Sequence, residues 1–193
     1  VSRAQLRRGL GLGLLVLLAV SLPLIGLGTV LSSGQNLVEW VRVHGLWTWP
    51  VFVLVAGMAA GFALVPSHLS SLLAGYLYGL WLGLPAALLV VLIGCGIGAA
   101  LSRKMSRDLM RKLIDQSRWG RILTREFVDA NDRKATGAVA LARLPPQVPF
   151  ALGNILAASF GVRSTPLFLG TLTGMLPRVF LVVWLGAGLS AWE

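Results

Sequence analysis

Acidic residues are scarce in this chain, and their absence is uneven. Asp and Glu number 7 against 17 Lys and Arg in 193 residues, and none falls between Glu39 and Asp108. An apolar interior built from that stretch has no carboxylate pair for general acid and base work, nor the carboxylate that usually carries protons. Cysteine is nearly missing as well. Cys95 stands alone in an apolar, glycine-rich run, which excludes an intrachain disulfide and a cysteine metal cluster and leaves it as a small packing residue. The two histidines, His44 and His68, lie too far apart in sequence to suggest a local metal motif, so no cofactor or metal is expected. Long polar stretches are also lacking, with residues 103–134 the single exception.

What fills the chain is apolar. It is 56% hydrophobic with mean hydropathy +0.79, and its uncharged runs exceed the roughly 18 residues that signal a membrane helix, so an all-α integral membrane protein is expected. The net charge of +10 does not point to nucleic acid. Ten of the 17 Lys and Arg lie in 103–134 and three more at Arg3, Arg7 and Arg8. Both groups flank apolar segments without a recognised nucleic-acid motif, as positive-inside topology requires. The segment 103–134 is therefore cytoplasmic. Met105, Leu109, Met110, Leu113 and Ile114 share one side of a helix there, with basic residues between them. An interfacial amphipathic helix and a plain topology anchor explain this equally well.

Residues 9–34 carry no charge. The run is longer than the apolar core of a signal peptide and lacks an A-x-A site, so 1–34 is expected to hold an uncleaved transmembrane helix with its N-terminus in the cytoplasm. Segment 35–49 mixes Glu39, Arg42 and His44 with Trp40, Trp47 and Trp49, a composition suited to the outer interface, where His44 is a solvated residue. Pro66 and Pro85 then divide a long uncharged stretch. Pieces 50–65 and 67–84 fall short of the ~20 residues of a straight span, so they read as arms of a re-entrant hairpin broken at Pro66, and 84–101 as the crossing helix. His68, just past the break, is a satisfied polar residue at a helix start or, on the sharper reading, lines a pore. Gly57 and Gly61, Gly75, Gly79 and Gly83, and Gly94 and Gly98 recur at spacing four, which lets helix backbones approach closely in lipid.

The most unusual stretch is 138–162, AVALARLPPQVPFALGNILAASFGV. Arg143 costs about 2.5–3.5 kcal/mol at membrane depth on insertion scales, so it must face a wet cavity or a packed interior. Pro145, Pro146 and Pro149 end a helix near Leu144 and allow a short one to start near Pro149, giving a second re-entrant hairpin. Arg163, Ser164 and Pro166 open a last apolar run to Leu189 that can span, interrupted by Pro177 and Arg178 and carrying Gly170 and Gly174. Segments 50–101 and 135–189 thus share one order of parts: arm, proline break, arm, spanning helix. One crossing and one cytoplasmic segment separate them, so the repeat is expected to be inverted, with its site at the interface of broken helices.

Arg143 with Pro145, Pro146 and Pro149, then Asn154, Phe168, Gly170, Gly174 and Pro177, resembles the second half of the VTT domain, the DedA-like or SNARE-associated Golgi protein family. The likeness covers about residues 50–189. It implies a protein of the cell membrane that moves a lipid or lipid-linked phosphate, as scramblase or translocase, with an anionic phospholipid or polyprenyl phosphate as partner. The DedA branch places acidic residues in its first hairpin for proton coupling, and this chain has none there. The expected site is Arg143, helped by Asn154 and the amides following Pro149, with Arg178 as a further candidate. Halfway along the last apolar run, Arg178 too must face the interior, and its alternative is a structural role at the carbonyl that Pro177 frees near Thr173 or Gly174. Pro66, Gly75, Gly79, Pro145, Pro146, Gly170, Gly174 and Pro177 form the structural motif. Two other classes stay open: a structural or chaperone-like membrane protein, in which Arg143 only ties the hairpins together through carbonyls, and a membrane lipid enzyme, for which the chain supplies no base or nucleophile pair.

Overall fold

The computed structural model describes residues 36–41, 43–115, 131–145, 150–159 and 161–190, and these are helical wherever they are regular. The N-terminal span expected in 1–34, and 116–130 of the basic segment, lie outside the described residues. After a 3-10 turn at Gly45–Trp47 come five helices: α1 Thr48–Gly61, α2 Ser67–Asp115, α3 Asp132–Arg143, α4 Phe150–Ser159 and α5 Ser164–Ser190.

α1 stops where the chain turns through Phe62 to Pro66. Ala63 takes a positive φ of 59°, and the Leu64 amide closes the turn on the Ala59 carbonyl at 2.8 Å. The break expected at Pro66 is therefore present. The other end of that arm differs from expectation. Sequence placed it at Leu84, ahead of Pro85, yet Pro85 sits inside the helix and the interruption falls at Gly79, with φ 69° and ψ −174°. That backbone region is essentially closed to L side chains, so glycine rather than proline sets the break. Pro85, the sixth residue of the restarted helix, withholds one amide from the Trp81 carbonyl, and the helix continues through it. α2 is thus two segments, α2a over 67–78 and α2b over 80–115.

α3 ends at Arg143, since a following proline disfavours helix, and α4 begins at Phe150. Pro145 is in the break, while Pro146 and Pro149 lie outside the described residues. In α5, Pro166 occupies the first turn, where an amide would have no intrahelical partner.

Paired contacts give the directions of the helices. Trp49 Nε1 donates to the Leu82 carbonyl at 3.0 Å, a Cβ on Gly57 would meet Ile93, and one on Gly61 would meet Ile97, so α1 runs parallel to α2b. Gly170 lies against Thr136 and Val139, and Gly174 against Ala140, so α3 runs parallel to α5. Between the long helices the order reverses. Cys95 Sγ is 3.6 Å from Thr171 Oγ1, while Arg103 donates to the Val162 carbonyl at 2.8 Å and to Ser164 Oγ at 3.2 Å. α2b and α5 are therefore antiparallel.

The short helices reach across. α4 lies on α2b, Phe150 by Gly94 and Asn154 by Gly98, while α2a lies on α5, Gly75 at the Val183 carbonyl and Gly186 at the Leu72 carbonyl. Because lipid offers no hydrophobic gain for helix association, such close backbone contacts supply dispersion that larger residues would prevent. The core follows the same rule, with Ala74, Ala86, Ala87, Val91 and Val183 buried together.

Ser67–Leu101, which the Gly79 break divides, and Ser164–Ser190 are the two apolar stretches long enough to cross a membrane among the described residues. α1, with 14 residues, is about 21 Å long, short of a hydrocarbon core of about 30 Å. At the end where α1 starts and α2a stops, Trp47 is 85% and Trp81 89% exposed, in keeping with indoles at a headgroup boundary. Tyr78 OH donates to Thr48 Oγ1 at 3.1 Å there, bracing the Gly79 break.

Candidate functional site

Arg143 is the last residue of α3 and is 8% exposed. Its side chain turns toward the break and engages α4. Nη2 donates to Asn154 Oδ1 at 2.5 Å, Nη1 donates to the Phe150 carbonyl at 3.3 Å, and the guanidinium stands 5.4 Å from the Phe150 ring centroid. Such a charge-assisted bond with a ring face beside it is a sound way to hold a cation away from water. Asn154 is fully buried, and its Nδ2 donates in turn to the Gly94 carbonyl at 3.5 Å. The chain of contacts therefore runs from α3 through α4 to α2b.

Glycines make that chain sterically possible. A Cβ on Gly153 would run into Arg143 Nη1, and one on Gly98 would come within 2.8 Å of Asn154 Nδ2. Spacing-four glycines in α2b had pointed to helix packing alone. Here Gly94 and Gly98 also receive a polar side chain, a role that only the presence of a buried Asn elsewhere in the chain signalled. Cys95 and Thr171 lie in the same layer, with Cys95 close enough to Arg143 to interact with it.

Arg178 is placed differently. It lies in the middle of α5, half-buried, and makes no hydrogen bond or ion pair among the described residues. Pro177 removes the amide that would have bonded the Thr173 carbonyl, but no Arg178 bond fills that position, and Thr173 Oγ1 instead bonds the Leu169 carbonyl at 2.8 Å. The positive charge of Arg178 reaches both Arg143 and His68. His68 lies at the start of α2a and is exposed, its Nδ1 3.4 Å from Ser67 Oγ. Sequence reasoning gave His68 mainly a structural role, and its position beside a break was the available signal for another.

Of the remaining motif residues, Pro149 lies outside the described residues. Gly75, Gly170 and Gly174 form helix contacts away from the arginine side chains, and Gly79 forms the α2 break. At the opposite end from Trp47 and Trp81, Arg163 pairs with Asp132 at 2.8 Å with both side chains about half exposed, a bond worth little in water.

Two buried or half-buried guanidiniums with no carboxylate beside them among the described residues, one at the end of α3 and one within the unbroken α5, make a region of fixed positive charge suited to an anion. Comparison with curated proteins and with solved structures returns no match. The VTT domain model matches residues 65–188, more than half of the chain, and takes in α2, both arginines and all of the second hairpin. Together with its spanning helices, that match makes this chain a member of the VTT domain family, the DedA and SNARE-associated family of membrane proteins.

Proposed function

We propose that this protein moves a lipid or lipid-linked phosphate across the plasma membrane, at a site where two re-entrant hairpins of an inverted repeat meet. On this reading α1 with α2a forms the hairpin entering from outside, and α3 with α4 the one entering from the cytoplasm. The observation that carries it is that Arg143 and Arg178 have no carboxylate partner among the described residues, and on this reading both lie at membrane depth. A translocated headgroup must leave water, and a buried cation offsets the cost for an anionic one in a way an apolar wall does not. Anionic phospholipid and polyprenyl phosphate both present the required charge.

A second reading has an observation of its own. The donors of Arg143 already engage Asn154 and the Phe150 carbonyl, as a purely structural tie would. A structural or chaperone-like membrane protein is therefore the alternative. Vesicles separate the two. Proteoliposomes carrying fluorescent phosphatidylglycerol or polyprenyl phosphate in both leaflets are bleached from outside. The transport reading expects loss of signal beyond the outer half, abolished by Arg143→Ala and reduced several-fold by Arg143→Lys. Folded parent protein leaving the inner half unbleached for every lipid tried would remove the transport reading.

A further inference from the structure

Resting on that reading, we infer that a phosphate group is contacted by Arg178 and His68, while Arg143 and Asn154 form the clamp that positions the second hairpin beside it. The two arginines differ in what the protein has already given them. Arg143 has a buried amide oxygen, a carbonyl and an aromatic face. Arg178 has none of these among the described residues, so its planar fork of donors is open to an outside acceptor.

Its place on α5 supports the same division. One turn before it, Gly174 backs onto Ala140 of α3, and a little beyond one turn after it, Val183 backs onto Gly75 of α2a. Arg178 thus sits between the docking points of the two hairpins, the position at which both could close on a ligand. Opposite it, the Nε2 of His68 has no partner among the described residues, and Nδ1 makes only the long contact to Ser67.

The surroundings decide the sign of that ligand. The charge of Arg178 on α5 reaches both Arg143 on α3 and His68 on α2a. The nearest acidic positions in sequence, Glu39, Asp108, Asp132 and Glu193, flank the apolar segments rather than lie within them, and Asp132 is paired with Arg163. Among the described residues no side chain neutralises Arg178. A half-buried guanidinium beside a second cation gains most from an acceptor carrying full negative charge and several oxygens, and phosphate answers the fork bidentately.

The test uses the full chain in detergent, titrated with dihexanoyl phosphatidic acid, inorganic phosphate and dihexanoyl phosphatidylcholine, with binding read by calorimetry and folding by thermal unfolding. The parent should prefer phosphatidic acid over phosphatidylcholine. Arg178→Gln should weaken phosphatidic acid at least about tenfold, as loss of a charge-assisted contact does. Arg178→Lys, which keeps the charge without the fork, and His68→Gln should each weaken it several-fold. Arg143→Lys should lower the unfolding midpoint and weaken phosphatidic acid several-fold less than Arg178→Gln does, a split that a contacting residue would not show. Equal binding of phosphatidic acid and inorganic phosphate identifies a free-phosphate site, and binding of phosphatidic acid alone a lipid headgroup site. Parental affinity in both Arg178 variants overturns the inference, as does a parent that binds neither anion. A loss in Arg143→Lys equal to that in Arg178→Gln overturns the division of roles. Parent protein that binds through Arg178 but moves no lipid in vesicles leaves the site standing and removes the transport reading.

Discussion

Replacing Gly174 by alanine tests whether helix packing and the arginine clamp are mechanically one unit. An added Cβ would overlap the Ala140 carbonyl oxygen and stand 2.8 Å from Ala140 Cα, where ordinary contact begins at 3.4 Å. Both atoms are backbone, so no rotamer relieves the clash and α3 must retreat from α5 by at least several tenths of an ångström. Overpacking of this kind costs about 1–3 kcal/mol, and the better helix propensity of alanine returns up to about 1 kcal/mol, so a net loss of about 1–2 kcal/mol is expected. Arg143 lies on α3 one turn beyond Ala140, and its 2.5 Å bond to Asn154 has no slack for such a shift. Lipid movement should fall along with stability. Gly137→Ala is the control, because a Cβ there meets nothing within 4 Å, and it should gain up to about 1 kcal/mol with unchanged transfer. Unfolding in mixed micelles and dye bleaching in vesicles measure the two effects. Equal stability of the two variants would refute the claim that α3 and α5 touch through their backbones.

Asn154→Leu should destabilise by about 2–3 kcal/mol by leaving a buried guanidinium without its closest acceptor. The double variant Arg143→Met with Asn154→Leu should recover at least about 1 kcal/mol of that loss in a double-mutant cycle, and strict additivity would refute the pairing. Gly79→Ala should cost about 1–3 kcal/mol in thermal unfolding through its backbone conformation, whereas Gly188→Ala, with open space around it, should not destabilise. In a Cys95→Ala background, cysteines at Leu46 and Trp81 should both react with an impermeant maleimide from outside, and cysteines at Arg133 and Thr165 only after the inner face is exposed. Reaction of 46 and 81 from opposite sides would end the re-entrant reading of the first hairpin.

The order of helices was legible because its signals are local. Pro66 lies at one break and Pro145 in another, and both act through their own amide and the residue before. Hydropathy marked the two long helices for the same reason. Gly79 was harder to read. A glycine at spacing four looks alike whether it packs against a neighbouring helix, as Gly75 does, or takes a positive φ, as Gly79 does. Only the route of the chain separates the two, and that route depends on Tyr78 and Trp49 bonding across the hairpin to Thr48 and Leu82. Those partners are some thirty residues distant in sequence, beyond any local pattern.

The arginines show a similar limit at the site. Intramembrane cost identified Arg143 and Arg178 as residues needing partners, but cost alone does not say whose partner lies inside the protein. Asn154, one turn into the helix after the break, reads as a second ligand-facing group when α4 is taken by itself. Placed against α2b it is the opposite: the glycines at 94 and 98 admit it, its oxygen is taken by Arg143, and its amide faces the Gly94 carbonyl. A polar side chain received by a glycine stripe is then part of the scaffold, and the arginine it holds is held with it. Arg178 has no such stripe opposite its guanidinium and no protein acceptor among the described residues, so the need that sequence assigned to both arginines is left open at only one of them. The stronger claim to the ligand therefore belongs to the arginine whose sequence context, a proline inside a long helix, had suggested a structural role.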